Sequence, residues 1–364
     1  MNYLIVIPAL NPKSDLIKYV DTLLEHGYPR ILVVDDGSRD DCRYIFDEIS
    51  EKSGCKVIRH PVNLGKGKAL KDAMSYFLDE YPAHNQQMDR PYGIITVDSD
   101  GQHIVEDVNK VAAAMLQNPD SLILGARDFN LENVPWKSRF GNKCTVIALK
   151  LFIGGSISDT QTGLRGIPDK LIERFSTLSG DRFEYETVML IDAIRTGASI
   201  IEVPIRTVYI NENSETHFHP IKDSFKIYRV ILGTFFKYIL SSLSSFLVDY
   251  GIFCGLIAAF GRTEMTQTRS VWISTVVARI ISSLFNYTVN KKLVFKSRRG
   301  PVTLFQYYAL CVIQMGASAG LVSLIGLSAF PVQLAKIIVD TLLFIISYRL
   351  QNRFIFKEST KNEE

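Results

Sequence analysis

The chain has 364 residues, enough for two domains of ordinary size, and 47% of them are hydrophobic, which is more than one soluble domain requires. With 41 Lys and Arg against 38 Asp and Glu, the net charge of +3 is too small to indicate a nucleic-acid partner. The five cysteines form no CxxC pair and no Cys/His ligand spacing, which argues against structural zinc and favours a reducing compartment.

Short runs rich in Val and Ile alternate with helical patterns from Tyr3 to about Gly125. Such alternation predicts a parallel, doubly wound α/β sheet. The first run lacks a basic leader and ends at Pro8, so we interpret it as a buried strand rather than a signal peptide and expect this half in the cytoplasm. The predicted strands are Leu4–Ile7, Ile31–Val34, Lys56–Arg59, Gly93–Val97 and Leu122–Leu124.

A polar cluster follows each of the first four predicted strands. Ligands of doubly wound sheets bind beyond the carboxyl ends of the strands, so these clusters predict a nucleotide site. The third cluster lacks the spacing and the hydroxyl of a P-loop, which excludes an ATPase of that type. The clusters are Asn11, Asp35–Ser38, Asn63–Lys68 and Asp98–Asp100.

The segment 221–239 is basic and aromatic, with its large apolar residues near one helical face. The pattern is typical of an amphipathic helix lying on anionic lipid. A linker helix packed on the soluble domain is the alternative, and the two interpretations are compatible.

Four long apolar stretches follow this segment, each close to the roughly 20 residues needed to cross a bilayer. They are Leu240–Phe260, Val271–Val289, Phe305–Leu327 and Val332–Tyr348. Basic residues cluster after the second and the fourth stretch, which predicts a multi-pass protein of the cell membrane with both termini and the first domain cytoplasmic. The predicted domains are 1–220 (catalytic), 221–239 (interfacial), 240–357 (four spans) and 358–364 (polar tail).

A short internal repeat links the second and fourth stretches. Residues 286–296 align with residues 347–357 at a constant offset, in a pattern of aromatic and basic residues. The repeat predicts two helix hairpins of like design, although a basic and aromatic boundary motif can also arise twice independently.

Asp98 and Asp100 are the most informative candidate residues. Two carboxylates at i and i+2 after a strand can hold a hard cation that also binds phosphate oxygens, and Gln102 offers a further oxygen. A solvated turn is the competing interpretation of such a pair, and the acids at the neighbouring strand ends disfavour it.

Asp36 is predicted to bind the base or the ribose hydroxyls of a nucleotide, with a plain acidic turn as the alternative. Pro8 and Asn11 are predicted to form another wall of this pocket. Lys66 is placed to touch the phosphates.

Together these motifs resemble a family 2 glycosyltransferase with the GT-A fold, a Rossmann-like α/β domain with a mostly parallel sheet. Two later motifs, 159–165 and 183–186, resemble the branch with dolichol-phosphate mannosyltransferases and bacterial polyprenyl-phosphate glucosyltransferases. The four-span portion resembles GtrA-like membrane domains. The motifs that carry the family resemblance are Ile7–Ala9, Val33–Ser38, Asn63–Gly67 and Asp98–His103.

The resemblance implies a role for each candidate residue. Asp98, Asp100 and Gln102 would ligate Mg²⁺ or Mn²⁺ with the donor diphosphate, and Asp100 would be essential for catalysis. Arg127 and Arg139 would clamp the acceptor phosphate, for which arginine has suitable bidentate geometry, although surface ion pairs explain each equally well.

Two further residues belong to the predicted donor site. Glu184 would orient the sugar, with a helix-face salt bridge as the alternative, and His217 would contact phosphate, with a structural role as the alternative. The residue Glu215 beside it departs from the small polar residues expected in that loop.

The resemblance further implies transfer of a hexose from a nucleotide-sugar to polyprenyl phosphate (undecaprenyl or dolichyl phosphate) with inversion, for cell-envelope glycosylation. UDP-glucose is the preferred donor and GDP-mannose the next. A combined synthase and translocator, or a different lipid acceptor, are the alternatives kept open. A processive polysaccharide synthase and a nucleotidyltransferase fit the sequence less well. A homo-oligomer is neither indicated nor excluded.

Overall fold

A computed structural model describes residues 1–82, 90–129, 131, 134, 136–206, 220–261, 266–326 and 331–356. The chain forms two compact units, Met1–Ile231 and Leu232–Glu364. The boundary lies close to the one that the composition predicts, since charge-dense sequence precedes it and apolar sequence follows it.

The first unit is built on a seven-stranded sheet with the order β3-β2-β1-β4-β6-β5-β7. All neighbouring strands are parallel except β6, which is antiparallel to both β4 and β5. The strands are β1 (Leu4–Ala9), β2 (Ile31–Asp35), β3 (Cys55–Arg59), β4 (Gly93–Thr96), β5 (Leu122–Arg127), β6 (Arg165–Pro168) and β7 (Ile200–Ile205).

The five strands predicted from the Val/Ile runs are confirmed within a few residues, whereas β6 and β7 were missed. The β6 strand is short and contains a glycine and a proline, and β7 contains Pro204, so neither shows the pattern of a strand. Pro204 is tolerated because β7 is an edge strand, where a missing N–H leaves no ladder bond unmade. The sheet is therefore mostly parallel, as expected for the GT-A fold, with one reversed strand.

Helices pack on this sheet and bury its apolar side chains, among them Ile5, Ile7 and Val33, which are fully buried. Burial on both sides is the reason that these strands are continuous apolar runs. The helices of this unit are α1 (Asp15–Glu25), α2 (Arg43–Glu51), α3 (Lys66–Glu80), α4 (Val105–Gln117), α5 (Trp136–Phe152), α6 (Asp169–Ser176) and α7 (Glu184–Thr196).

Four long helices follow: α8 (Pro220–Phe260), α9 (Gln267–Val289), α10 (Val302–Gly326) and α11 (Val332–Leu350). The helices α9, α10 and α11 match the last three predicted apolar stretches within a few residues, whereas α8 begins well before the first. Two stretches, Lys222–Phe260 and Val302–Ile325, are long and apolar enough to cross a bilayer on length and composition alone. The predicted interfacial segment 221–239 is not a separate element, since α8 continues through it without a break. The polar tail 358–364 lies outside the described residues.

The internal repeat is confirmed at the ends of α9 and α11. Each helix continues into a short π-helical turn, Asn290–Val294 after α9 and Gln351–Ile355 after α11, at the same offset as the sequence repeat. Asn290 donates a side-chain hydrogen bond to its counterpart Gln351 (3.2 Å), so the repeats meet at equivalent residues.

Aromatic rings around this contact pack reciprocally. Tyr287 lies against Phe356 at a centroid distance of 5.8 Å, and their counterparts Tyr348 and Phe295 lie against each other at 5.9 Å. Such swapped contacts are the pattern of an isologous, two-fold related interface.

Two ion pairs join charged residues of the apolar helices. Arg279 lies 3.7 Å from Asp249, which also accepts a hydrogen bond from Ser282 (2.8 Å). Lys336 lies 3.0 Å from Asp340. Pairing lowers the cost of placing ionised groups at membrane depth.

Candidate active site

The loops after β1 and β2 are joined by hydrogen bonds through Asn11. Its backbone N–H donates to the hydroxyl of Ser38 (2.9 Å), and its side-chain oxygen accepts from the N–H of Arg39 (2.9 Å). Asn11 has φ +48°, a left-handed conformation that asparagine tolerates better than most residues. Pro8, just before it, is buried. Both residues thus lie where the sequence predicts a wall of a nucleotide pocket.

Asp36 is 4% exposed, and its carboxylate binds the loop that precedes α3. It accepts hydrogen bonds from the backbone N–H groups of Leu64 (2.9 Å) and Gly65 (2.8 Å). His60 lies 2.8 Å from the same carboxylate and 2.9 Å from Asp72, and sequence reasoning passed over it. Asp36 therefore shapes the loop, and its contact with a nucleoside stays a prediction.

The loop carries Lys66 into a cluster of acids. Its ammonium lies 2.7 Å from a carboxylate oxygen of Asp98 and 3.0 Å from one of Glu186. Burial by itself would lower the pKa of Lys66, but the two carboxylates outweigh it and raise that pKa. Lys66 is thus a firmly charged cation. From the sequence, Glu186 was identified only as part of a motif. The structure places its carboxylate at the centre of this acid cluster, beside Lys66.

Asp98 and Asp100 differ in their surroundings. Burial would raise the pKa of Asp98, but the Lys66 ammonium and the His103 imidazole, 3.3 Å away, hold it far below its usual range. Burial and the nearby charge of Asp98 raise the pKa of Asp100, whose carboxylate accepts a hydrogen bond from the backbone N–H of Gln102 (3.0 Å). The charge of Asp98 therefore acts on Asp100, and the described residues form an ion pair with Asp98 but not with Asp100.

The motif 159–165 reaches this site because β6 is antiparallel to β4, which places the start of β6 beside the end of β4. Gly163 accepts a hydrogen bond from the hydroxyl of Thr96 (2.7 Å) and packs on Asp98 so closely that a Cβ would lie 2.1 Å from the carboxylate. Arg165 is fully buried and donates to the backbone oxygen of Glu186 (2.7 Å). Gly163 and Arg165 thus pack against Asp98 and Glu186, respectively. The only sign of this contact in the sequence was a glycine and an arginine within one motif.

Arg127 and Arg139, predicted to clamp the acceptor phosphate, have different partners. Arg127 donates two side-chain hydrogen bonds to the fully buried carboxylate of Asp159 (2.6 and 3.0 Å) and stacks on Phe129, 5.0 Å from the ring centre. Arg139 is exposed and donates to the backbone oxygen of Leu131 (2.7 Å). Arg127 is therefore a rigidly oriented cation, and its contact with phosphate stays a prediction.

Glu184 lies in the first turn of α7, where its carboxylate accepts two long hydrogen bonds, at 3.4 Å, from the backbone N–H groups of Asp181 and Arg182. A carboxylate at a helix N-terminus is favoured by the helix dipole, so a structural role for Glu184 is evident. His217 lies outside the described residues, and so does Glu215.

The described residues bring no three His, Cys, Asp or Glu side chains into one metal-binding group. Mg²⁺ in nucleotide enzymes is commonly held by one or two carboxylates together with phosphate oxygens, so a third acid is not required. Asp98 and Asp100, with mutually perturbed carboxylates, and the neighbouring Gln102 fit such a cation.

Comparison with known proteins gives two family matches. Residues 4–175 match the family described as Glycosyl transferase family 2, and residues 237–356 match the family described as GtrA/DPMS, transmembrane domain. The two matches divide the chain as its fold does, and the second shows that the apolar helices belong to a membrane domain.

Three of the matching relatives each cover more than half of this chain. An uncharacterized protein of Methanocaldococcus jannaschii is 33% identical over 64% of this chain and 92% of its own length. A UDP-N-acetylglucosamine–dolichyl-phosphate N-acetylglucosaminyltransferase of Methanococcus voltae is 30% identical over 63% of this chain and 94% of its own length. A polyprenol monophosphomannose synthase of Mycolicibacterium smegmatis is 26% identical over 56% of this chain and 76% of its own length.

Proposed function

The chain belongs to glycosyl transferase family 2 and carries a GtrA/DPMS transmembrane domain, and from that premise we propose that it transfers a sugar from a nucleotide-sugar to a polyprenyl phosphate. One observation carries the proposal: a lysine and two carboxylates, Lys66, Asp98 and Asp100, meet at the carboxyl end of β4. This charge arrangement suits a diphosphate together with its cation.

Asp98, Asp100 and Gln102 are the residues that would hold Mg²⁺ or Mn²⁺. A bound cation would neutralise the charge that develops on the departing nucleoside diphosphate. Lys66 adds a fixed positive charge beside these residues, 2.7 Å from Asp98. Asn11 and Asp36, in the loops after β1 and β2, are assigned to the nucleoside together with Pro8 near the end of β1.

The acceptor determines what the remaining residues must do. A phosphate monoester has a second pKa of about 6, so it is largely dianionic at neutral pH and needs no general base to become a nucleophile. Arg127 and Arg139 are assigned to bind and orient it, and Asp159 holds the Arg127 guanidinium in place. Attack on the face opposite the leaving group would invert the anomeric carbon. Glu184 is assigned to the sugar.

The donor is proposed as UDP-glucose, with GDP-mannose next, and the relatives keep the choice open. The Methanococcus voltae relative is named for UDP-N-acetylglucosamine, whereas the Mycolicibacterium smegmatis relative is named as a mannose enzyme. Donors of this kind differ by hydroxyl contacts, which no residue of the described site identifies.

The test is an assay with membranes that contain the full-length protein, undecaprenyl phosphate and Mg²⁺ or Mn²⁺. UDP-glucose, GDP-mannose and UDP-N-acetylglucosamine are offered in turn, and lipid products are analysed by mass. We expect a glycosyl phospholipid from one donor, and at least about a 100-fold loss with Asp100→Asn. The matched control is Asp15→Asn, a surface carboxylate that is 80% exposed, which should retain activity.

No product from any donor, or undiminished product with Asp100→Asn, would overturn the assignment. A reporter fused to either terminus tests the proposed cytoplasmic orientation. Reporter activity that indicates an external terminus contradicts it.

A further inference from the structure

Lys66 is the first residue of α3, and its side chain is 17% exposed. Its ammonium bridges Asp98 and Glu186, which come from two distant parts of the chain. Glu186 is itself 7% exposed, and its buried carboxylate has the Lys66 ammonium as an ion-pair partner. The ammonium thus lies where a cation is electrostatically required.

Both carboxylate oxygens of Asp98 already have partners. One lies 2.7 Å from the Lys66 ammonium, and the other lies 3.3 Å from the His103 ring. Gly163 closes a further side, since even a Cβ there would overlap the carboxylate. A divalent ion that binds either of these oxygens competes with the partner already there, and a flexible lysine side chain moves more easily than backbone.

The surroundings of the Asp100 carboxylate differ from those of Asp98. The described residues place no ammonium or guanidinium within ion-pair distance of its carboxylate, which accepts a hydrogen bond from the Gln102 backbone. The two carboxylates of the motif are therefore unequal: Asp100 is open to a cation, whereas Asp98 is held by one.

We propose that Lys66 is a built-in counter-ion that keeps a free divalent ion off Asp98, so that the metal enters the site together with the donor diphosphate. The inference rests on the proposed function, because it assumes that the donor carries a diphosphate. When the diphosphate arrives, it offers the ammonium a new anionic partner and releases Asp98 to the metal. Glu186, 3.0 Å from the ammonium, keeps the lysine at the site during this exchange.

The consequence is an order of binding. Metal alone must break the Lys66–Asp98 ion pair with no compensation for the lysine, so its affinity is low. Metal with nucleotide replaces that ion pair by one between lysine and phosphate, so the charges stay balanced. Removing the ammonium leaves Asp98 and Glu186 without their lysine, which strengthens the binding of free metal.

The experiment measures Mn²⁺ binding by the full-length protein in detergent, from the electron paramagnetic resonance signal of free Mn²⁺, without nucleotide. Lys66→Met is expected to bind Mn²⁺ at least about tenfold more tightly than the wild type, the equivalent of one pKa unit of interaction. Lys71→Met is the matched control: Lys71 lies on the same helix α3 and its ammonium pairs with Asp181 outside the acid cluster, so its loss should leave the binding of free Mn²⁺ unchanged.

Further variants make the result specific. Lys66→Gln, which keeps a hydrogen-bond donor without the charge, replaces Lys66→Met if that protein does not fold, and the same gain is expected. Adding Asp98→Asn to Lys66→Met should abolish the gain, because the released ligand is Asp98. With UDP or GDP present, the ranking should reverse, and the wild type should bind the metal and nucleotide more tightly than either Lys66 variant.

Equal or weaker binding of free Mn²⁺ by both Lys66 variants would overturn the inference and leave the glycosyltransferase proposal intact. If neither the wild type nor any variant binds Mn²⁺ with or without nucleotide, the metal assignment itself fails, and this inference fails with it.

Discussion

Replacing Gly163 by alanine should displace the Asp98 carboxylate while leaving the fold intact. The new Cβ would lie 2.1 Å from one carboxylate oxygen and 2.5 Å from the carboxyl carbon. Ordinary contact distances are about 3.5 Å, so the carboxylate must retreat by more than about 1 Å. Gly163 is not among the glycines with positive φ, so its backbone accepts alanine without conformational strain.

The retreat moves Asp98 away from the Lys66 ammonium and from the position that a metal would share with Asp100. A displacement of about 1 Å at a catalytic group is enough to cost about 100-fold in rate. We therefore expect Gly163→Ala to lose about 100-fold in kcat/KM in the lipid-product assay. Its thermal midpoint, measured by differential scanning fluorimetry in detergent, should change little.

The matched control is Gly166→Ala, a glycine three positions later. Its Cβ would lie 2.4 Å from the sulfur of Met115 in the apolar core, remote from the carboxylates. Overpacking of this kind costs about 1–3 kcal/mol, so the thermal midpoint should fall while the activity of the folded protein is kept. If Gly163→Ala keeps full activity, or if it loses stability and activity together as an unfolded protein does, the reasoning is wrong.

Three further predictions test other parts of the molecule. Arg127→Lys should raise the KM for polyprenyl phosphate by about tenfold and leave the KM for the nucleotide-sugar unchanged, because lysine cannot make bidentate hydrogen bonds to phosphate. An equal rise of the two KM values would contradict a contact between Arg127 and the acceptor phosphate. Gly65→Ala should lower the free energy of unfolding by about 1–3 kcal/mol, because Gly65 has φ +106° and a Cβ would lie 2.3 Å from the Asp181 backbone oxygen. An unchanged thermal midpoint would contradict this geometry. Gln351→Leu should lower the free energy of unfolding by about 1 kcal/mol, because the Asn290 amide loses this partner. Adding Asn290→Leu should recover part of that loss. Strictly additive losses would show that the two side chains are not coupled.

Much of the architecture is predictable from local sequence. The apolar runs from Leu4 to Arg127 identify five strands, because residues buried on both faces of a parallel sheet must be apolar along their whole length. The long apolar helices are equally predictable, because crossing a bilayer requires a minimum number of apolar residues. Their repeat is predictable from its constant offset in the sequence. The β6 strand, Arg165–Pro168, was not predicted, since four residues with a glycine and a proline carry no strand pattern.

The location of the site was also predictable, because parallel strands bring their carboxyl ends to one edge of the sheet. Asp98 and Asp100 lie there as expected. Asp36 lies there too, but its carboxylate is directed to the backbone of Leu64 and Gly65, which no sequence pattern shows.

What the sequence by itself determined is which elements form and at which edge the polar residues gather, because both follow from residue spacing and from the direction of the chain. Only the tertiary structure decided which charges meet. Lys66 touches Glu186 because the start of α7 packs against α3, and Arg127 touches Asp159 across 32 residues. Ion pairs between distant segments depend on three-dimensional packing, and those pairs hold the pKa of Asp98 low, orient Arg127 and make the carboxylates of Asp98 and Asp100 unequal.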